Sequence, residues 1–236
     1  MTDENTGNPT KTVDLKRLKI AVLIRIFIGI LALGLMFFAP AGTLRYWQAW
    51  IYMAVSFIPM FFVMIFLLRK NPELLERRIR MKEKERGQKK IVKLASVIFV
   101  IGFLLPGFDQ RFGWSSVPTA LVVAADAMFL FGYGLFVLVL RENPFAARTV
   151  EVEQNQKVIT TGPYTVVRHP MYSAVLLIYG FSPLALGSYW ALIPFGLTVM
   201  ILVARILNEE KVLLKDLDGY RQYTQKTRFR LIPGVW

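Results

Sequence analysis

Long apolar runs constrain the fold of this chain more than any catalytic motif in it. Residues 20–38, 47–68, 91–106, 118–140, 171–187 and 190–207 form six such runs within 236 residues. A hydrocarbon core about 30 Å thick admits only structures that satisfy every backbone polar group internally. Runs of this length suit helices, because a barrel strand needs only about ten residues to cross. Hydrophobic residues make up 55% of the chain, and its charges are crowded into a few segments between the runs. The expected fold is an all-α integral membrane protein of about six transmembrane helices.

The last two runs are joined by Gly187, Ser188 and Tyr189 alone, so they are antiparallel neighbours. Pro183 and Pro194 are expected to kink this tight hairpin. Its first arm rises only about 25 Å, short of a roughly 30 Å core, so tilting or incomplete crossing is expected.

Charge placement sets an expected orientation. Residues 69–93 carry eleven Lys or Arg against four Glu, and Lys11, Lys16, Arg17 and Lys19 precede the first run. Basic juxtamembrane segments face the cytoplasm. The opposite loops hold only Arg45 and Arg111. Both termini are then cytoplasmic, as are residues 141–170 and 208–236. The net charge of +13 reads as this topogenic pattern, with membrane lipids as its partner and no nucleic acid. The chain divides into a polar cytoplasmic tail (1–19), a four-helix membrane region (20–140) and a chemistry-bearing region (141–236).

With no cysteine and one histidine, thiolate catalysis, disulfides, Cys-ligated metals and a His-rich metal centre are excluded; carboxylates could still hold a hard cation, and no metal is assigned. There is no GxGxxG after a strand, no P-loop and no GxSxG elbow. The polar groups instead gather in Gly162-Pro163-Tyr164, then Arg168-His169-Pro170-Met171-Tyr172, then Arg205 and Glu209-Glu210. A bilayer tolerates such groups poorly unless they serve a site.

His169 precedes Pro170, which keeps it out of the helical region and places Pro170 in the first turn of a helix. Arg168 and His169 read either as headgroup anchors or as the rim of a site. Glu209 and Glu210 are expected just beyond the sixth helix. There they pair with Arg205, with a bound cation, or with Lys211 or Lys215. Arg205 reads equally as a snorkelling anchor or as a fork for an anionic acceptor. Asp126, the one acid deep in a span, is expected to be protonated or paired with Arg111, and is left outside the site.

The Gly162-Pro163-Tyr164, Arg168-His169-Pro170-Met171-Tyr172, Glu209-Glu210, Gly219-Tyr220 and Tyr223 sequence resembles the C-terminal signature of the isoprenylcysteine carboxyl methyltransferase family. Phospholipid methyltransferases share a looser form of it. The resemblance covers roughly residues 140–236. It implies a helical membrane enzyme that uses S-adenosylmethionine without a Rossmann domain, in a pocket facing the cytosol. Carried over, Tyr164, His169, Pro170, Tyr172, Glu209 and Glu210 line the cofactor pocket. Arg205 orients a lipophilic methyl acceptor, and Glu210 joins it as a catalytic candidate. Ala174 stands where the family often has glycine.

The implied reaction is carboxyl methylation of an isoprenylcysteine-type acceptor. Phospholipid N-methylation is the alternative among methyltransferases, with Glu210 or His169 as its base. A sterol-reductase-like enzyme and a non-enzymatic membrane scaffold are the alternatives of other classes.

Overall fold

The computed structural model describes residues 14–80, 86–146, 152 and 156–236. Most of the polar tail, the centre of the basic loop (81–85) and part of the start of the chemistry-bearing region lie outside the described residues. Among the described residues are eight α-helices. They are α1 (Leu15–Ala41), α2 (Trp47–Lys70), α3 (Pro72–Arg80), α4 (Arg86–Phe112), α5 (Thr119–Glu142), α6 (Pro170–Ala185), α7 (Leu192–Asp216) and α8 (Tyr220–Lys226). A 3₁₀ turn over Gly162–Thr165 precedes α6.

Five helices (α1, α2, α4, α5 and α7) are long and apolar enough to cross a membrane. The sixth expected span, α6, has 16 residues and rises about 24 Å, so it belongs to a shorter class. Large apolar side chains such as Phe27, Phe62, Phe131 and Met200 point outward. In water that surface would drive association, whereas in lipid it is the expected one.

Three boundaries differ from the sequence expectation. The third run does not stop at Pro106, since α4 continues to Phe112. A proline removes one backbone bond but leaves the next turn intact when packing holds it. Here the packing is close, because a Cβ on Gly107 would lie 2.6 Å from the Phe37 carbonyl oxygen in α1. Second, Pro194 falls in the first turn of α7, where no intrahelical bond is lost and no kink is required. Third, α7 runs on to Asp216, so Glu209 and Glu210 sit inside the helix rather than after it. Glu, Lys and Leu are strong helix formers, and the end of apolar character is not the end of helix. Helices α3 and α8 occupy segments that had read as loop.

The core has two ends. At one, Phe37, Tyr46, Tyr52, Phe103, Phe129 and Phe195 pack into an aromatic cluster. Hydrogen bonds clasp this end. The Tyr46 hydroxyl donates to the Leu186 carbonyl (2.5 Å), and Tyr52 shares a 2.7 Å bond with Ser182. Asp109 is buried in the last turn of α4 and accepts from the Ser188 hydroxyl (2.5 Å) and the Ser115 amide (2.8 Å). That joins the α4–α5 loop to the hairpin turn.

At the other end, Leu18, Val22, Leu67, Leu74, Leu75 and Leu140 form a second cluster, with α3 lying across it. Helix α3 starts where Asn71 accepts from the Leu74 amide (3.0 Å). Its Leu74 and Leu75 are buried, Glu73 is exposed, and Arg78 turns inward over the Phe136 ring. Helices α5 and α6 pack most closely, around Gly132.

Candidate active site

Two glycines position the site's tyrosines. Gly162 (φ +55°) starts the 3₁₀ turn, and Gly219 (φ +82°) starts α8. Both need the left-handed region, which side-chain-bearing residues avoid. Gly162 also lies so near Glu142 that a Cβ would be 3.1 Å from its carboxylate. The turn delivers Tyr164, whose hydroxyl accepts from the Asn143 amide (2.7 Å) at the end of α5. Tyr223 of α8 donates to the Tyr164 carbonyl (2.7 Å), which fixes the turn against the tail.

Residues 168 and 169 lead into α6, which starts at Pro170, and the C-terminal segment runs beside them. The Arg168 and His169 amides donate to the carbonyls of Phe229 and Arg230, each at 2.9 Å. The Ser173 hydroxyl donates to the Leu231 carbonyl (2.6 Å). This strap brings Arg230 to Glu210.

Glu210 is buried and clamped. Its Oε1 accepts from Arg168 Nε (2.7 Å) and lies 3.3 Å from His169 Nε2, while its Oε2 accepts from Arg230 Nε (2.7 Å). The expected lysine partners, Lys211 and Lys215, are not the ones it takes. Arg168 and His169 are likewise buried and built into the protein rather than spread at a headgroup surface.

Glu209 faces the other way. It accepts from the Tyr172 hydroxyl (2.5 Å), and that hydroxyl accepts in turn from Arg205 Nε (2.9 Å). Tyr172 therefore stands between Arg205 and Glu209. His169 Nδ1 lies 4.0 Å from Glu209, placing the single imidazole between the two carboxylates.

These groups open onto a cavity of about 980 Å³. Of the seven site residues named from the sequence, Tyr164, His169, Pro170, Tyr172, Arg205 and Glu209 line it. Glu210 does not, because its carboxylate is turned into the Arg168–Arg230 clamp. Asp126 lies outside the lining as well. Its Oδ1 is buried without a hydrogen-bond partner among the described residues, and Arg111 lies over the Phe112 ring instead of pairing with Asp126.

Sequence reasoning left out three residues of this region. Tyr220 lines the cavity with a buried hydroxyl that has no hydrogen-bond partner among the described residues. Tyr223 lines it too, and Arg230 completes the clamp. Tyr220 and Tyr223 had been part of the matched signature, so a signal was present. Arg230 had none, because its role depends on the path of the tail.

Burial pushes the Tyr164 phenol up to about 12, and the neighbouring Glu209 charge adds to the rise. Burial likewise holds Tyr223 up to about 12 and Tyr220 well above the ordinary range. All three are neutral hydroxyls at physiological pH.

An unpartnered buried hydroxyl, three tyrosine faces and an exposed-side carboxylate make a site for a cationic, hydrogen-bonding ligand. Residues 120–218 match the family model described as phospholipid methyltransferase. The match runs from the start of α5 to just past α7. It takes in Tyr164, the Arg168–Tyr172 segment, Arg205 and both glutamates, and leaves out α1–α4 and the tail. No curated protein matches the chain. The region that builds the site is thus similar to membrane methyltransferases, a family that uses S-adenosylmethionine generally.

Proposed function

We propose that the protein is an S-adenosylmethionine-dependent methyltransferase of lipophilic acceptors, and that it forms a carboxyl methyl ester on an isoprenylcysteine-type group. The observation that carries this reading is one continuous cavity. It has Arg205, Tyr172 and Glu209 at its polar end and apolar helix walls beyond them.

The residues fit the cofactor. Tyr164, Tyr220 and Tyr223 offer ring faces to a sulfonium, which cation–π attraction favours. The Tyr220 hydroxyl supplies a donor that no group among the described residues uses. Glu209 suits an ammonium or ribose hydroxyls. When bound, S-adenosylmethionine supplies an electrophilic methyl group.

Arg205 holds an acceptor carboxylate through its planar fork, and Tyr172 fixes where that fork points. A carboxylate is already ionised at neutral pH, so no base is needed. The rate gain comes from positioning and from excluding water. Glu210 acts at one remove, holding Arg168, His169 and the C-terminal strap. With both of its oxygens engaged, it is a poor candidate for a general base.

Phospholipid N-methylation is the second reading, and the matched family's description favours it. It would require an amine to lose its proton, with Glu209 as the carboxylate in reach. In either case we place the cavity mouth and both termini on the cytoplasmic face, supported by the basic segments at residues 16–19 and 69–93.

Transfer of isotopically labelled methyl from S-adenosylmethionine tests the proposal, with purified protein, native lipid extract and N-acetyl-S-farnesylcysteine. Label released by mild base identifies an ester and supports carboxyl methylation. Base-stable label on phospholipid shifts the assignment to N-methylation. No transfer and no cofactor binding would remove both.

A further inference from the structure

Aromatic rings line the far end of the cavity, and the construction of that end bears on which acceptors it takes. Along α1 the lining runs from Val22 to Met36, and along α2 it runs back from Leu67 to Tyr52. At 1.5 Å per residue each wall is about 21 Å long. That is more than half of a roughly 30 Å hydrocarbon core. The ionisable groups of the chemistry sit at the Arg205–Glu209 end. Around α4 and α5 the far walls are rings.

Three rings make the floor: Tyr52, Phe103 and Phe129. Their centroids are 5.9 Å (Tyr52–Phe103) and 5.1 Å (Tyr52–Phe129) apart. Phe37 seals the floor from behind, 5.8 Å from both Tyr52 and Phe103. The Tyr52 hydroxyl is tied to Ser182, so this ring cannot swing aside without losing a buried hydrogen bond. Helix α4 cannot retreat either. A Cβ on Gly102 would lie 2.9 Å from the Phe195 ring, which marks a contact already closed.

Space limits the occupant as well. The cavity of about 980 Å³ has to hold donor and acceptor together. Ligand pockets for single small molecules already span about 300–1,000 Å³. What remains suits one chain.

We propose that this floor is a length gauge, admitting a single apolar chain that ends against Tyr52, Phe103 and Phe129 and excluding longer ones. The proposal rests on the reading that a lipophilic acceptor presents its reacting group near Arg205. It adds which residues set the tail's length.

The test uses N-acetyl-S-alkylcysteines with linear chains of graded length and the full chain in lipid nanodiscs. Binding is read by displacement of a fluorescent S-alkylcysteine probe, and methyl transfer is read separately with labelled S-adenosylmethionine. Affinity is expected to rise roughly fourfold per added methylene until the floor is met, then to stop rising or fall. Phe129→Leu, which lowers the floor, moves that break to longer chains. Ser56→Phe, which intrudes on the lining, moves it to shorter ones. The shift should appear in KM more than in kcat.

A series that rises without a break overturns the gauge. So does a break that stays put in both variants while they keep the parent's thermal midpoint. If displacement shows the shifting break but no chain is methylated, the gauge stands and the methyl-transfer reading fails.

Discussion

The two adjacent glutamates carry unlike tasks although one peptide bond separates them. Successive helical residues point about 100° apart, so Glu209 reaches the cavity while Glu210 turns into the protein. Glu210→Gln removes the counter-charge of two arginines, one of them buried. We expect a loss of about 3–5 kcal/mol of stability, read as a lowered thermal midpoint of the apoprotein. Glu209→Gln should leave that midpoint nearly unchanged and weaken S-adenosylmethionine binding instead. Equal destabilisation by the two would contradict the division.

Tyr220→Phe is the complementary case. Its hydroxyl bonds nothing among the described residues, so removing it should not lower the thermal midpoint. If the cofactor uses that hydroxyl, affinity falls roughly two- to tenfold by calorimetry.

The tyrosines also set an alkaline limit. Tyr164 and Tyr223 are raised from about 10 to about 12, so above pH 10 the unfolded chain loses protons that the folded one keeps. Their contribution to stability is full below pH 10 and is lost as pH rises through 12. Alkaline unfolding in detergent should therefore be steeper in the parent than in the Tyr164→Phe, Tyr223→Phe double variant.

Among the elements, α5 and α6 are the most closely packed pair. A Cβ on Gly132 would lie 2.9 Å from Leu177 Cβ and 3.1 Å from a backbone nitrogen of α6, so the helices would have to part. On the same helix, Gly134 meets nothing within 4 Å. Gly132→Ala is expected to cost about 1–3 kcal/mol, and Gly134→Ala to be neutral, by unfolding in mixed detergent. The two substitutions share chemistry and helix, so a difference isolates the contact. The sequence presents these glycines alike, and only the neighbour tells them apart.

For the whole molecule, alternation of helices puts Arg205, Glu209, the α6 start and the basic segments at one end, and Asp109 and the aromatic cluster at the other. The absence of native cysteine makes this checkable. Single cysteines at positions 16 and 228 should react with an impermeant maleimide only from the cytoplasmic side of oriented vesicles. Cysteines at 44 and 116 should react only from the opposite side. Any mixed pattern would overturn the proposed orientation.

The sequence determined what depends on transfer energy and local backbone rules. Apolar runs dictate helices because unsatisfied amides are intolerable in hydrocarbon. His169-Pro170 dictates a helix start, because sterics act over neighbouring residues. Tertiary structure decided what depends on where distant segments meet. The Arg230 clamp, the outward turn of Glu209 against the inward turn of Glu210, and the ring floor at Tyr52, Phe103 and Phe129 join residues from α2, α4, α5, α7 and the tail. Transfer energy is indifferent among such pairings, since one apolar face serves lipid, helix or ligand equally well. Packing geometry alone selects among them.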